Sequence, residues 1–393
     1  MTLNLDKSAW KRVRFGDVAD RSRTQVDPAA DRVERYVAGG HFDDGSLEVI
    51  RHGDPNDGGM GSTFKYLFRP GQVLYVSASW YLRKVGVATF EGVVADKTYV
   101  IETRDSEILN QRFLPWLLLS DGLHEYAAAQ STGSMNARLL WSTLSNYEFD
   151  LPPLDEQKRI ADLLWALERH RQAVLVARGR SAQVRASWRD TVFGTPEVTA
   201  RLDERADVIL GRQRAPQHAT GDHMRDYLRS ANIGNGRVVL EGIKQMNFTP
   251  AEQEKFRLLP GDVLVSEGTA SPRELGASAM WNPSDPDEEM YFQKTLLRLR
   301  AREDKSTPVL LREWAQWAQE SGAFVRVATG TGILHISGVR CAAMPFPVLT
   351  AAESEALEVR AGKLSDAALA IQTELEHLEA LYAELAGEIF GGQ

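Results

Sequence analysis

The sequence lacks the features that mark secreted, membrane-spanning and disulfide-stabilised proteins. It has one cysteine, Cys341, which excludes a disulfide framework and a zinc site built from cysteines and fits a reducing compartment. A lone cysteine of this kind is ordinarily a small buried apolar side chain. The first residues contain no uninterrupted apolar run, and the longest such run, near FLPWLLL, is too short to cross a bilayer. We therefore expect a cytoplasmic protein with no membrane contact.

Catalytic motifs are missing as well. The segment ATGTGIL (328–334) lacks the lysine of a phosphate-binding loop, and the glycine-rich GDPNDGGMGS (53–62) follows no predicted strand. There is no G-x-S-x-G nucleophile motif and no Asn-Pro-Pro-Tyr motif of an amino-methyltransferase. The eight histidines are scattered, and no acidic pair suggests a metal site. The expectation is a protein that is not an enzyme and holds neither a metal nor a cofactor of its own.

Charge is unevenly distributed along the chain. The net charge of −8 argues against a lone nucleic-acid-binding protein, since phosphate binding usually requires a basic excess. Arginines are nevertheless concentrated in 11–23 and 169–189, whereas 351–393 is strongly acidic. A basic helix beside an acidic one favours antiparallel pairing. With 393 residues of ordinary globular composition, two to four domains are expected.

The two halves of the chain end in the same way. LPPLDEQKRIADLL (151–164) begins a long helical pattern that runs to Phe193-Gly194, and PFPVLTAAESEAL (345–357) begins another that runs to Phe390-Gly391. The two ends lie 197 residues apart (390 − 193), about half of the chain. Residues 155–191 as one helix would span about 55 Å at about 1.5 Å per residue. Two reading units joined by such spacers would recognise two targets at a fixed separation.

Heptad spacing in both helical patterns predicts a two-stranded coiled coil, with a poorer stripe in the first helix than in the second. The two stripes are Leu163, Leu167, His170, Val174, Ala177, Ser181, Val184 and Trp188 in the first helix, and Leu364, Ala368, Ile371, Leu375, Leu378, Tyr382, Leu385 and Ile389 in the second. The alternative is that these are two unrelated surface helices.

Each half has a β-rich part before its long helix. Residues 33–105 read as strands separated by glycine turns, and 108–129 read as a helix that Pro115 bends or divides. In the second half, 227–246 read as two short strands around an Asn-Gly turn. RPGQVLYVSAS matches LLPGDVLVSEGT, and VADKTYVIETR matches MYFQKTLLRLRA. The predicted fold is α+β with a pseudo-twofold internal repeat.

Polar and aromatic residues between the predicted strands are the candidates for contact with DNA, because such side chains bind base edges and phosphates. An ordinary turn, a packed aromatic or a solvated charged loop is the alternative in each case. In the first half they are Trp80, Tyr81, Arg83 and Lys84 in SWYLRKVG, and Ser134, Asn136 and Arg138 in STGSMNARL. In the second half they are Arg212, Gln213 and Arg214 in GRQRAPQ, and Thr269, Ser271 and Arg273 in GTASPRELG. Trp314 and Trp317, three residues apart on a helix, are expected in the core.

These motifs together resemble the specificity subunit of type I restriction-modification systems. The resemblance is carried by LPPLDEQKRIADLL, RPGQVLYVSASWYLRKVG, YLRSANIGNGRVVLEGIKQM and PGDVLVSEGT, and it extends over essentially the whole chain. The second half departs from the pattern, since PFPVLTAAESEAL replaces LPPLDEQ and leaves Gln157 without a glutamine counterpart.

The resemblance implies two target recognition domains, at 1–150 and 195–350, that each read one half of a split double-stranded DNA site. It implies antiparallel spacer helices at 151–194 and 351–393, which dock two methyltransferase subunits that bind S-adenosylmethionine and methylate adenine. A translocating nuclease subunit would join them. A specificity subunit of a methylation-only phage-defence system, or a coiled-coil scaffold without DNA binding, is the alternative.

Overall fold

The computed structural model describes residues 5–28, 31–42, 45–130, 137–234, 236–285 and 287–391. The chain divides into two compact units. The first comprises Met1–Ala177 and Ile371–Gln393, and the second comprises Arg178–Ala370. Each unit therefore contains one β-rich part and a segment of each long helix. Among the described residues, no helix combines the length and the apolar character needed to cross a membrane.

The described residues of the first unit form ten strands and the beginning of a long helix. Its strands are β1 (Lys11–Arg14), β2 (Ala19–Ser22), β3 (Tyr36–Val37), β4 (Glu48–Val49), β5 (Tyr66–Phe68), β6 (Val73–Val76), β7 (Val85–Ala88), β8 (Gly92–Val94), β9 (Thr98–Thr103) and β10 (Glu148–Leu151). Its helices are α1 (Phe15–Val18), α2 (Leu114–Leu119), α3 (Asp121–Gln130), α4 (Trp141–Leu144) and the first part of α5 (Leu154–Phe193).

The sheets of the first unit surround a core that includes α2 and the long helices. Five strands form one sheet in the order β2-β9-β6-β7-β4, three form another in the order β3-β8-β5, and β1 pairs antiparallel with β10. Large apolar side chains such as Phe15, Trp116 and Phe149 are buried in the core. Burial of each such side chain contributes about 1.5–3 kcal/mol.

The second unit has a similar set of elements in a similar chain order. Its strands are β11 (Thr199–Arg201), β12 (Ala206–Leu210), β13 (Met224–Leu228), β14 (Ile233–Gly234), β15 (Arg237–Val238), β16 (Lys244–Asn247), β17 (Val263–Ser266), β18 (Gly268–Thr269), β19 (Ser278–Met280), β20 (Tyr291–Phe292), β21 (Leu296–Ala301), β22 (Leu334–His335) and β23 (Pro345–Pro347). Its helices are α6 (Pro250–Phe256), α7 (Pro308–Glu320), α8 (Ala323–Val327), α9 (Gly338–Ala342) and the first part of α10 (Ala351–Phe390).

The predicted internal repeat is present in the strand order. The sheet β12-β21-β17-β19 repeats the order β2-β9-β6-β7, and the β11–β23 pair before α10 repeats the β1–β10 pair before α5. Register agrees, because Val73 faces Ile101 in the first unit and Val263 faces Leu299 in the second. The repeated Pro-Gly turn also recurs: Gly71 and Gly261 have φ angles of +87° and +90°, a conformation that glycine adopts without strain.

The long helices begin and end where the sequence predicts. In the first unit, Trp116 packs on both Trp165 and Tyr382, and His170 Nε2 lies 2.8 Å from Glu374 Oε1. Residue numbers rise along one helix as they fall along the other, so the two segments in this unit run antiparallel. Leu375, Leu378, Leu385 and Ile389, all members of the predicted stripe of α10, are buried.

The predicted stripe of α5 is not continuously buried. Ala177 and Val184 are exposed, and Ser181 is half-buried. In the second unit, Arg185 and Arg189 instead contact Glu313 of α7. The heptad pattern did not predict these contacts because it depends on apolar side chains alone, whereas this part of α5 packs against α7 through ion pairs.

One smaller prediction needs correction. Pro115 neither bends nor divides a helix. It lies in the first turn of α2, where a missing N–H leaves no hydrogen bond unmade, and the break comes at Ser120. The two short strands predicted around the Asn-Gly turn are present as β14 and β15, in which Ile233 faces Val238, and Gly236 has a φ of +75°.

Gln157 fixes the start of α5 within the first unit. Its amide Nε2 donates to the carbonyl oxygens of Ile108 (2.8 Å) and Pro152 (2.9 Å), and its Oε1 accepts from the N–H of Asn110 (2.8 Å). The side chain is 1% exposed. In the second unit, Thr350 caps α10 through Glu353, whose carboxylate accepts from the Thr350 N–H at 2.7 Å. The glutamine of LPPLDEQ therefore holds the start of α5 in place through hydrogen bonds within the first unit.

Candidate nucleic-acid interface

The loops that carry the candidate residues of the first unit leave one end of its five-stranded sheet. Val76, at the end of β6, faces Thr98, at the start of β9, and Tyr75 faces Val85, at the start of β7. The connections 77–84 and 95–97 therefore lie together at this end. The repeat of the strand order predicts the same arrangement in the second unit.

The connection 77–84 holds an exposed pair of apolar side chains on a strained turn. Trp80–Leu82 form a single 3-10 turn, and Ser79 and Arg83 on either side have φ angles of +52° and +48°. Left-handed backbone at two non-glycine residues costs free energy, and such strain concentrates at functional loops. Tyr81 and Leu82 are 55% and 54% exposed. The turn thus presents an aromatic ring and an aliphatic side chain to solvent.

Trp80 points the other way. It is buried, and its ring centroid lies 4.8 Å from that of His124. Burial is the main cause that lowers the pKa of His124, and Arg83 lowers it further. The packed-aromatic interpretation is therefore correct for Trp80, which supports the turn from inside.

The basic residues of this turn contact their own unit. An Arg83 Nη1 lies 2.7 Å from Asp121 Oδ1, and Lys84 Nζ donates to the Gly39 carbonyl at 2.6 Å. Arg83 is exposed, so its ion pair with Asp121 contributes little and can be exchanged for a phosphate. Lys84 is half-buried.

The last residues of the small-residue loop, Ala137 and Arg138, lie beside this turn. Ser134 and Asn136 fall outside the described residues. Arg138 is described, and it forms an antiparallel bridge with Ala78, while the Ser79 N–H donates to the Ala137 carbonyl at 3.0 Å. Two segments about 60 residues apart in the sequence, both selected as candidates, are thus hydrogen-bonded neighbours.

The second unit brings its candidate segments together in the same way. Leu210 and Ser266, where β12 and β17 end, face Leu297 and Leu296 at the start of β21. The segments 211–214, 267–277 and 293–295 therefore leave the same end of the sheet. Gly268 and Thr269 pair with His335 and Leu334, so here too the loop after the Pro-Gly strand is hydrogen-bonded to the later Gly/Thr-rich loop.

Side chains at this end differ from those of the first unit. Thr269 Oγ1 accepts from the Ser271 N–H at 3.1 Å and holds the turn. Arg273 is exposed, and its carbonyl accepts from Gln319 Nε2 at 3.3 Å. Gln213 and Arg214 are exposed as well. These residues offer donors and acceptors at the sheet end where the first unit offers Tyr81 and Leu82.

Arg212 is the exception among the candidates. It is 5% exposed, its Nε donates to Glu252 Oε1 at 2.8 Å, and it also donates to the Asn247 carbonyl. Its guanidinium carbon lies 5.1 Å from the ring centroid of Phe248. Burial by itself would raise the pKa of Glu252, but hydrogen bonds from Arg212 and Thr249 lower it to about 2. Arg212 is thus a structural residue of the second unit, and its side chain has little surface left for DNA.

Sequence reasoning missed further basic residues at these sheet ends. Lys97, immediately before β9, and Lys294, two residues before β21, are exposed, and His335 Nδ1 lies 3.1 Å from Glu267 Oε2. In the first unit, Arg21 of β2 packs on Tyr99. A Lys-Thr dipeptide at both strand starts was the available signal for the two lysines. Arg21 lies in the arginine-rich segment 11–23, but only the fold places it beside Arg138.

Neither a metal-binding group nor an activated thiol is found among the described residues. No group of three or more histidine, cysteine, aspartate or glutamate side chains there could hold a metal ion. Cys341 is buried, as the sequence indicates, and burial raises the pKa of its thiol to about 12. Such a thiol stays protonated at neutral pH and is a poor nucleophile.

Comparison with known proteins agrees with this geometry. Residues 7–176 match the family model described as "Type I restriction modification DNA specificity domain". A curated relative, the type I restriction enzyme EcoDI specificity subunit of Escherichia coli, is 25% identical over 151 residues. That match covers 38% of this chain and 33% of the relative, so the chain spans about a third of the length of this relative in the match.

Two solved structures share the fold over the whole chain. One, from a study of complex assembly and conformational transition of the type I R-M system, has a TM-score of 0.63 and 18% identity, and the match covers 98% of this chain and 99% of that one. The other, the type I restriction-modification S subunit from M. genitalium, has a TM-score of 0.59 and 12% identity, with 100% of each chain covered. The family model and the relative each match part of the chain, and the two solved structures share its fold over the whole length, so the chain is similar to type I restriction-modification specificity subunits.

Proposed function

We propose that this chain is the non-catalytic DNA-recognition subunit of a type I restriction-modification complex and that it reads a bipartite site in double-stranded DNA. The proposal rests on one end of the repeated sheet in each unit, where two loops are hydrogen-bonded to each other. In both, the loop after the Pro-Gly strand is hydrogen-bonded to a later loop at one end of the repeated sheet. Recognition of two different half-sites requires the same backbone arrangement with different side chains in the two units.

Target recognition is assigned to 1–150 for one half-site and to 195–350 for the other. In the first unit, Tyr81 and Arg83 are best exposed for contact with bases or phosphates, with Arg138 beside them. In the second unit, Gln213, Arg214 and Arg273 are exposed at the corresponding end, with Thr269 and Ser271 shaping the turn. Arginine pairs with guanine and glutamine with adenine in the major groove.

The helical segments 151–194 and 351–393 are proposed as antiparallel spacers that set the gap between the half-sites and dock two methyltransferase subunits. S-adenosylmethionine would bind to those partners, and a nuclease subunit would join the assembly. Deleting one heptad from each helix, at 174–180 and 364–370 where most side chains are exposed, keeps the heptad phase. We expect the same half-sites with a gap about three base pairs shorter, since seven residues rise about 10 Å and each base pair about 3.4 Å.

The test of the function is methylation-sensitive sequencing of a host that expresses the chain with its methyltransferase partner. We expect methylated adenines in one bipartite motif, present only when both proteins are expressed. Methylation at a continuous motif, or the same motif without this chain, would contradict the proposal. A purified complex that shifted no DNA duplex at low salt would instead favour a scaffold that does not bind DNA.

A further inference from the structure

Two arginines from distant parts of the first unit converge on one backbone carbonyl. An Arg21 Nη2 and an Arg138 Nη2 both donate to the Asp96 carbonyl, at 3.4 and 2.9 Å. Arg21 comes from β2, and Arg138 comes from the segment that pairs with the turn at Ala78. Adjacent guanidinium groups repel each other, so another interaction must hold the two arginines together.

Packing on two aromatic rings holds Arg21 in place but leaves its Nε without a hydrogen-bond partner in the part of the chain that is described. Its guanidinium carbon lies 4.3 Å from the ring centroid of Tyr99 and 5.4 Å from that of Tyr66. Its Nε is buried and has no hydrogen-bond partner among the described residues. Stacking on aromatic rings fixes the plane of a guanidinium and prepares it to bind a planar or tetrahedral anion.

The cluster has more positive than negative charge. Arg138 Nη1 lies 3.5 Å from Asp96 Oδ2, a long contact, and Arg23 and Lys97 are exposed nearby. Burial is the main cause that lowers the pKa of Arg21, and Arg23 and Arg138 lower it further. The charges of Arg23 and Arg138 act on Arg21, Asp96 makes only a long contact with Arg138, and a bound anion would offset this excess of positive charge.

We propose that Arg21 and Arg138 together bind one phosphate of the DNA backbone, with Lys97 at the edge of the site. This assignment rests on the proposed function. Arg138 Nε donates to Ser77 Oγ at 3.3 Å, and the Ser77 N–H donates to the Lys97 carbonyl at 2.8 Å, so the cluster adjoins the turn that carries Tyr81. A phosphate held there fixes the position of the backbone beside the reading turn.

The second unit does not repeat the site. Arg21 faces Ile101, and the residue that faces the corresponding Leu299 is Val208. His335 occupies the bridge position of Arg138, because it pairs with Gly268 as Arg138 pairs with Ala78. The phosphate site is therefore a property of the first unit, and loss of it should weaken binding without changing either half of the recognised motif.

The first arm of the test uses inorganic phosphate and the full-length chain. The midpoint temperature of thermal unfolding is measured for the wild type, Arg21→Met and Arg138→Gln, in phosphate and in chloride at equal ionic strength. We expect phosphate to raise the midpoint of the wild type and of neither variant. Arg21→Met should also unfold at a higher temperature than the wild type in chloride, because it keeps the packing on Tyr99 and removes a partly buried, poorly neutralised charge. Arg104→Met, an exposed arginine that follows β9, is the matched control and should keep the phosphate effect.

The second arm measures the affinity for a short mixed-sequence duplex as a function of salt. Loss of one phosphate contact lowers the slope of log K against log salt by about 0.9. At low salt, Arg21→Met should bind roughly tenfold more weakly, as expected for a lost hydrogen bond to a charged group. The methylated motif should keep both of its halves.

The outcomes separate this site from the proposed function. A midpoint of the wild type that is the same in phosphate and chloride, or a phosphate effect that survives in Arg21→Met, would overturn the anion site. A phosphate effect lost in the variants with an unchanged salt slope would overturn the assignment to DNA. A wild-type chain that bound no duplex would contradict the proposed function and the DNA assignment together, while the phosphate arm would still decide whether the anion site exists.

Discussion

Glu313 organises the junction between α5 and α7 in the second unit. It is fully buried, and three arginines meet its carboxylate: Arg185 at 2.7 Å, Arg189 at 2.8 Å and Arg312 at 2.8 Å. Burial by itself would raise the pKa of Glu313, but hydrogen bonding to Arg185 and the charges of Arg189 and Arg312 lower it. Glu313→Gln keeps the size of the side chain and leaves Arg189, itself buried, without its main counter-charge. Breaking a buried pair from one side costs about 3–5 kcal/mol, and that is the expected loss in the free energy of unfolding.

The control for this prediction is Glu320→Gln on the same helix. Glu320 pairs with the same Arg189 at 2.6 Å, but its side chain is 46% exposed. An exposed pair contributes about 0–1 kcal/mol. The assay is urea unfolding at pH 7, with hydrogen exchange to assign the transition to the second unit. Equal losses for the two variants, or a loss below about 1 kcal/mol for Glu313→Gln, would refute the reasoning that burial sets the strength of this network.

Two further predictions concern the first helix start and the acid stability of the second unit. Gln157→Leu leaves the Asn110 N–H and two carbonyls without hydrogen-bond partners and should lower the unfolding free energy of the first unit by about 2–4 kcal/mol. The control is Ser354→Ala, at the position 197 residues later, which should lower the unfolding free energy by less than about 1 kcal/mol. Equal losses for the two variants would show that the Gln157 hydrogen bonds do not stabilise the start of α5. Because the pKa of Glu252 is lowered to about 2 in the fold, its stabilising contribution is full above its ordinary value near 4.5 and is lost as pH falls toward 2. The difference in unfolding free energy between the wild type and Glu252→Gln should therefore be constant above about pH 5 and shrink in acid, and a difference that does not depend on pH would contradict the role of the Arg212 pair.

Local signals in the sequence predicted the turns and helix starts that occur in both units. The Pro-Gly turns before β6 and β17 and the helix starts at Leu154 and Ala351 follow from turn and capping chemistry, which depends on a few neighbouring residues. Helical spacing placed Trp314 in the core, and the usual burial of a lone cysteine placed Cys341 there. The repeat itself was visible because the same local signals occur twice in the same order.

Long-range packing of charges was not predictable in this way. Arg212 looked like a surface loop residue because its partner Glu252 lies 40 residues away, and only the fold brings them together. Arg185 lay off the heptad stripe and received no role, although it pairs with Glu313. The exposed members of the candidate interface, such as Tyr81 and Arg273, were selected correctly as loop residues, but their contacts with DNA remain predictions.

The central claim is that each unit reads its own half of the DNA site. Sequencing of methylated sites in strains that carry Tyr81→Ala or Arg273→Ala tests it most directly, with Arg302→Ala, an exposed arginine at the opposite end of the second sheet, as the control. The account predicts that each of the two loop variants relaxes one half of the motif, a different half in each strain, and that the control changes neither. Discrimination at the affected base should fall by about 1–3 kcal/mol for an arginine pair. Relaxation of both halves by a single substitution, or of the same half by both, would contradict the claim.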